Sequence, residues 1–297
     1  DGAVLRPAEG RDLVVVIDTL VEAVHFPVDL AAADLAYRAV AVNVSDIAAM
    51  GARPRWMTLA LTLRDVDTEW LDGFAEGLNS AAADYRLELV GGDTTRGNEI
   101  VISVQITGDV QRGRFIRRSG ARAGEGIYVT GTPGDAAAGL SMLARGPGDG
   151  DDVAYLQRRF RRPQARADFA QAVADRLSAA IDLSDGLYAD IAKLLTASGV
   201  GGRLELERLP LSAALLATVG RARAVELALG GGDDYELAFT APAQNAEAIL
   251  AIAKEQGLAV TRIGDVLAGE ALRCTEHGRP VEYRDAGYRH FGRPDGP

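Results

Sequence analysis

The stretch Leu87-Glu88-Leu89-Val90-Gly91-Gly92-Asp93-Thr94-Thr95-Arg96 runs a mostly apolar segment into two glycines, a carboxylate, two hydroxyls and an arginine. Residues 87–90 predict a strand, and Gly-Gly-Asp predicts a loop at its carboxyl end. The glycines allow a sharp turn and leave room for a bulky ligand. A carboxylate and hydroxyls at a strand end suit a hard cation such as Mg²⁺, and the arginine adds a forked donor for phosphate. A plain strand-to-loop turn with an Asx-type cap fits the same residues equally well. The neighbouring chain has to decide.

Outward from that stretch, strand and helix patterns alternate. Ile100, Ile102, Val104 and Ile106 share one face of a predicted strand over 100–107. Upstream, the unbroken apolar run Leu13–Ile17 predicts a buried strand ending at Asp18-Thr19. A helix is expected from Leu35 to Met50 with Asp34 as its N-cap, which places Asn43 and Asp46 on one face. A strand over Trp56–Leu63 and a helix capped by Asp67 complete a first α/β unit. The polar, basic stretch 111–124 marks a boundary, dividing the chain into 1–118 and 119–297.

The second unit opens with a strand at 126–130, the loop Gly131-Thr132-Pro133-Gly134-Asp135 and an alanine-rich helix. Gly146–Asp152 reads as a surface loop. Arg158, Arg159, Arg161 and Arg162 read first as a solvated helix end and second as a phosphate contact. A helix over 164–177, the motif Ile181-Asp182-Leu183-Ser184-Asp185-Gly186 and a helix to Ser198 follow. Two short helices at 211–217 and 222–229 lead to Gly230-Gly231-Gly232-Asp233-Asp234, a strand over 235–240, a helix over 246–256 and a strand over 259–263. The fold class is α/β, within the broader α+β description, in two domains.

With 297 residues, 47% of them hydrophobic, the chain can bury two compact cores. A formal charge of −10 argues against a general nucleic-acid binder. No apolar run nears the roughly 18 residues of a membrane span, and no signal peptide is visible. The single cysteine, Cys274, and three scattered histidines exclude an internal disulfide and a local zinc site, consistent with a reducing cytoplasm.

Acids recur at predicted strand ends: Asp18, Asp93, Asp182 with Asp185, and Asp233 with Asp234. In open α/β sheets such ends converge on ligands, although each acid taken singly reads more simply as a cap or turn residue. Asp46, interior to a helix among apolar neighbours, implies a cation or a protein donor, with Ser45 and Asn43 as local alternatives. The Gly131–Asp135 loop lacks the Gly-Lys-Ser/Thr of a phosphate-binding loop. No Ser-His-Asp or Cys-His arrangement is evident.

Six segments together, Asp18–Phe26, Ala41–Ala52, Gly91–Arg96, Tyr128–Gly134, Ile181–Gly186 and Gly232–Leu237, resemble the thiamine-monophosphate kinase family of the aminoimidazole ribonucleotide synthetase-like superfamily. They occur in the family's order and span nearly the whole chain. The resemblance implies a two-domain aminoimidazole ribonucleotide synthetase-like fold, a homodimer joined by its amino-terminal domains through a β-barrel-like interface, and no nucleic-acid or membrane partner. It implies transfer of the ATP γ-phosphoryl group to thiamine monophosphate with several Mg²⁺ ions. By position, Asp1, Val16, Ile17, Asp18, Asp46, Asp93, Asp182 and Asp185 correspond to metal contacts. Gly92, Asp93, Arg118 and Ser184 correspond to ATP contacts, and His25, Asp233 and Tyr288 to substrate contacts. The sequence departs from the family where Val16 and Ile17 replace hydroxyl residues, Asp233 replaces a common Glu, and Ala23 replaces a frequent Gly. The family's amino-terminal segment precedes Asp1, which matches the second acid of its Gly-Asp-Asp loop. Another ATP-using synthetase of the superfamily, or a nucleotide- or metal-binding protein without turnover, is the competing expectation.

Overall fold

A computed structural model of the chain describes residues 2–143, 150–269 and 271–283. Asp1 and Tyr288, and most of the 146–152 loop, lie outside the described residues. The first unit contains β1 (Arg11–Val21), α1 (Ala32–Ala49), β2 (Arg53–Leu63), α2 (Thr68–Tyr85), β3 (Glu88–Arg96) and β4 (Val101–Gln111). Its sheet has the order β1-β4-β2-β3, antiparallel except for the β2–β3 pair. The second unit contains β5 (Gly126–Thr130), α3 (Asp135–Leu143), α4 (Asp151–Arg161), α5 (Ala167–Val173), β6 (Ala179–Asp182), α6 (Leu187–Ser198), β7 (Gly201–Glu205), α7 (Ala213–Gly230), β8 (Leu237–Ala241), α8 (Ala246–Glu255), β9 (Val260–Leu267), β10 (Leu272–Glu276) and β11 (Arg279–Val281). Its seven strands run in the order β11-β10-β7-β9-β5-β8-β6.

Apolar periodicity translated well into elements. The face of β4 carrying Ile102, Val104 and Ile106 is fully buried beneath α1, whose Val40, Val44 and Ile47 are equally inaccessible. Asp67 caps α2 as expected, its carboxylate accepting the Trp70 N–H at 3.2 Å. The two short helices expected at 211–229 are the two halves of α7, kinked at Gly220.

Four expectations are corrected. The Gly-Gly-Asp-Thr-Thr-Arg segment is not a loop: β3 continues through Arg96, paired with β2 across a register shift at Met57/Thr58. Gly92 serves close approach rather than turning, because a Cβ there would lie 2.2 Å from the Leu59 carbonyl oxygen. β1 is not buried on both faces. Val14 and Leu20 point inward, while Leu13, Val15 and Ile17 are 44%, 63% and 65% exposed. Asp34 is not the N-cap of α1, which begins two residues earlier; it sits in the first turn and pairs with Arg162 at 2.5 Å. Nor is the arginine run 158–162 simply a solvated helix end. Arg159 is buried on Glu236, Arg162 is tied to Asp34, and Arg158 lies over the Tyr155 ring.

Candidate active site

A cavity of about 820 Å³ opens between the two units. β1 contributes Ile17 and Asp18, and the bend after it contributes His25. α1 contributes Arg38, Val42 and Asp46, spaced four residues apart and therefore in one row. The end of β6 and its loop bring Asp182, Ser184 and Asp185; the approach to β8 brings Asp233 and Tyr235. These last two segments are stitched together: Asp233 N–H donates to the Ser184 carbonyl at 2.9 Å and Tyr235 N–H to that of Leu183 at 2.8 Å. Both Asp233 and Tyr235 hold left-handed backbone angles, φ 63° and 51°, a strained geometry retained here at the cavity wall.

One end of the cavity is strongly acidic. Burial first, and then the Asp18 charge, raise the Asp46 carboxyl to about 6, while the Arg118 guanidinium pulls it back down. Burial, Asp46 and Asp190 push Asp182 well above the ordinary carboxylate range, against a hydrogen bond from Ser45. Asp18 is aligned through its backbone, whose N–H donates to Asn43 Oδ1 at 2.8 Å. His25 Nδ1 accepts the Val21 N–H at 2.9 Å, so the ring proton resides on Nε2.

The acids after Gly232 have three separate destinations. Asp233 faces the cavity and pairs with Arg38. Asp234 is buried and accepts the Gly134 N–H at 2.7 Å and the Ala136 N–H at 3.3 Å. The loop before α3 thus seats an internal carboxylate. Glu236 accepts from Thr130, Arg159 and Arg166. The expectation that Asp233 and Asp234 act together is corrected accordingly.

The cavity therefore gathers Ile17, Asp18, His25, Asp46, Asp182, Ser184, Asp185 and Asp233. Arg118 does not line it, although its charge acts on Asp46. Val16 packs against the core rather than lining the cavity. Gly92 and Asp93 are exposed on β3, at the opposite edge of the sheet from β1. Paired positions Asp18–Val104–Leu59–Gly92 form one row across four strands, which sets Gly92, next to Asp93, about 14 Å from Asp18. Among the described residues, no three His, Cys, Asp or Glu side chains are arranged to hold one metal ion. The donor set nevertheless suits a hard cation, since the Asp18 charge raises Asp46, both raise Asp182, and a divalent ion would relieve that repulsion.

Residue patterns alone missed three supporting groups. Asp190 Oδ2 accepts the N–H groups of Ser184, Asp185 and Gly186 at 3.0, 2.9 and 3.2 Å, shaping the whole loop. An acid in the first turn after Ser-Asp-Gly was the available signal. Lys193 then bridges Asp190 and Asp185. Arg38, buried in the cavity wall, had no sequence signal at all.

This fold and site define an AIR synthase related protein: that family's N-terminal domain description matches residues 1–110 and its C-terminal domain description matches 122–276. Thiamine-monophosphate kinases of Salmonella typhimurium and Escherichia coli K12 are 45% and 46% identical to the chain, each match covering 99% of it and 91% of the relative. The crystal structure of thiamine-monophosphate kinase from Stenotrophomonas maltophilia matches with a TM-score of 0.89 at 40% identity, over 95% of this chain and 90% of that one. A structure described as AaThiL complexed with AMPPCP and TMP matches with a TM-score of 0.84 at 34% identity, over 96% and 89%. The chain belongs to the thiamine-monophosphate kinase family.

Proposed function

We propose that the chain transfers the ATP γ-phosphoryl group directly and in line to thiamine monophosphate, giving thiamine diphosphate and ADP. The carrying observation is the make-up of the cavity, which Asp18, Asp46, Asp182 and Asp185 line together with His25 and Asp233. A phosphate oxygen of the acceptor attacks the γ-phosphorus while the bond to the β-bridging oxygen breaks. That oxygen is already ionised near neutral pH, so no general base is needed, and positioning with charge neutralisation suffices. Several Mg²⁺ ions, held by the acidic end together with Asp1, Asp93 and the backbone carbonyls of Val16 and Ile17, would neutralise the phosphate oxygens. Gly92, Asp93, Arg118 and Ser184 contact ATP in this reading. His25 donates to the acceptor through Nε2–H, and Tyr288 covers the thiazolium or pyrimidine. The division at 118/119 separates the unit supplying Asp18 and Asp46 from the unit supplying Asp182 and Asp233.

The reading includes a homodimer. Leu13, Val15 and Ile17 leave an apolar, unpaired edge on β1, and β3 is an exposed edge carrying Leu89, 49% exposed. Such edges invite pairing. A two-fold dimer in which β1 meets the partner's β3 closes eight strands into a barrel-like ring and carries the Gly92-Asp93 segment of one copy to Asp18 of the other. Cytoplasmic placement rests on the single, buried Cys274. No helix among the described residues is long and apolar enough to cross a membrane.

Product analysis with ATP, MgCl₂ and thiamine monophosphate tests the reaction: thiamine diphosphate and ADP should form with metal and vanish with EDTA. ATP binding without thiamine diphosphate would overturn it. Shared sites predict that Asp18→Asn and Asp93→Ala chains, each inactive alone, regain about half of wild-type activity in purified mixed dimers, because one of the two sites is then intact. Inactive mixed dimers would place Asp93 outside a shared site.

A further inference from the structure

The row Arg38, Val42, Asp46 makes α1 a ruler along the cavity. Eight residues of helix separate Arg38 from Asp46 by about 12 Å. Asp46 stands among the acids, and Arg38, at the other end of that row, carries the Asp233 carboxylate. The Arg38 side chain is 1% exposed, against 28% for its partner Asp233. Its Nη1 donates to the Phe160 carbonyl at 2.7 Å and its Nη2 to the Asp233 carboxylate. Its guanidinium sits 4.1 Å from the Phe160 ring centroid and 5.5 Å from that of Tyr235. Packed between two rings and anchored to a backbone carbonyl, the guanidinium is fixed. Its Nε has no hydrogen-bond partner among the described residues, so Nη1 and Nη2 carry all its recorded bonds.

A buried cation has to keep its counter-charge close, because an uncompensated charge in the interior is costly. Asp233 therefore cannot swing away from Arg38 without stranding it. The carboxylate is held from behind, while its own N–H is tied to Ser184 and the Tyr235 hydroxyl lies 3.4 Å from its Oδ1. The remaining open side of Asp233 faces the cavity. We propose that Arg38 is the positioning residue of the acceptor end: it fixes the Asp233 carboxylate in the orientation that receives the cationic acceptor, and so sets acceptor affinity without touching the ATP end. This rests on the kinase reading above, which places thiamine monophosphate at that end.

Steady-state kinetics of Arg38→Met, Arg38→Lys, Asp233→Asn and the double variant Arg38→Met/Asp233→Asn, varying each substrate in turn, separates the roles. Loss of a hydrogen bond to a charged group should raise the KM for thiamine monophosphate about tenfold or more in Arg38→Met. Arg38→Lys, which keeps the charge but loses the fork, should fall between it and wild type. The KM for ATP should stay within about twofold of wild type, and the double variant should be no worse than Asp233→Asn alone, since Arg38 acts through that carboxylate. An acceptor KM within about twofold of wild type in both Arg38 variants, two KM values rising together, or additive effects in the double variant would overturn the inference. Should Arg38→Met not fold, Arg38→Lys and Asp233→Asn carry the same comparison. Failure of the kinase reading shows separately, as wild-type protein that makes no thiamine diphosphate, and takes this inference with it.

Discussion

Asp46→Asn is expected to lower kcat/KM by roughly 10²–10³-fold or more, the cost of removing one preorganised charge-stabilising group from a phosphoryl-transfer site. The same change should leave thermal stability unchanged or slightly raised. Asp46 is half-buried, and both its burial and the Asp18 charge disfavour its ionised form, pushing the carboxyl up to about 6. A neutral amide of nearly the same shape relieves that repulsion. Activity and fold thus pull in opposite directions at this position, the usual signature of a residue kept for chemistry. Parallel turnover assays and circular-dichroism melts check the outcome. Turnover within about threefold of wild type would remove Asp46 from the site, and a melting point lowered by more than about 5 °C would make its role structural.

The second large effect concerns stability. Glu236 is fully inaccessible and accepts four hydrogen bonds: from Thr130 at 2.6 Å, from Arg159 at 2.6 Å, and a bidentate pair from Arg166 at 2.6 and 2.5 Å. Even Gly131 is shaped to it, since a Cβ there would lie 2.0 Å from Glu236 Oε1. Glu236→Gln would remove the carboxylate to which the two largely buried guanidinium groups of Arg159 and Arg166 are both bonded. Breaking a buried pair in this way costs about 3–5 kcal/mol. For a chain of this size that corresponds to a Tm lower by roughly 10 °C. The pH dependence has a definite sign. Burial raises the Glu236 carboxyl, but Arg166 and Arg159 outweigh it and hold it at about 2, below its ordinary 4.5. Its contribution is therefore complete above pH 4.5 and is lost as pH falls from there toward 2. The melting gap between wild type and Glu236→Gln should be constant at neutral pH and narrow on acidification through that window. A gap below about 2 °C at pH 7 would show that the cluster contributes little.

Glu236 also shows why part of this molecule could not be read from the chain. Its partners lie 106, 77 and 70 residues away at Thr130, Arg159 and Arg166, so no local pattern distinguishes it from Asp233 or Asp234. Three acids in four consecutive residues are sent to a cavity wall, a helix start and a buried arginine cluster, because the left-handed angles at Asp233 and Tyr235 turn the chain between them. The Arg158–Arg162 run was opaque for the same reason. Its charges look solvated in sequence, yet tertiary packing spends Arg159 on Glu236 and Arg162 on Asp34.

What the sequence determined by itself was whatever depends on neighbours along the chain. Alternation in β4, the Asp67 cap of α2 and the apolar stripe of α1 are local consequences of period and hydrogen-bonding capacity, and each was legible. The six motif segments likewise identified the family, since their residues and order are properties of the chain. Tertiary structure decided the rest. Whether Gly91–Arg96 turned or stayed extended depended on an open edge beside β2, where Gly92 lets the backbones approach. Which face of β1 was covered depended on α1 packing over one side only. The pairing of Arg38 with Asp233 joins residues 195 apart in the chain, and no local energy term selects it. It exists because burying a guanidinium beside Phe160 is tolerable only when a carboxylate meets it there.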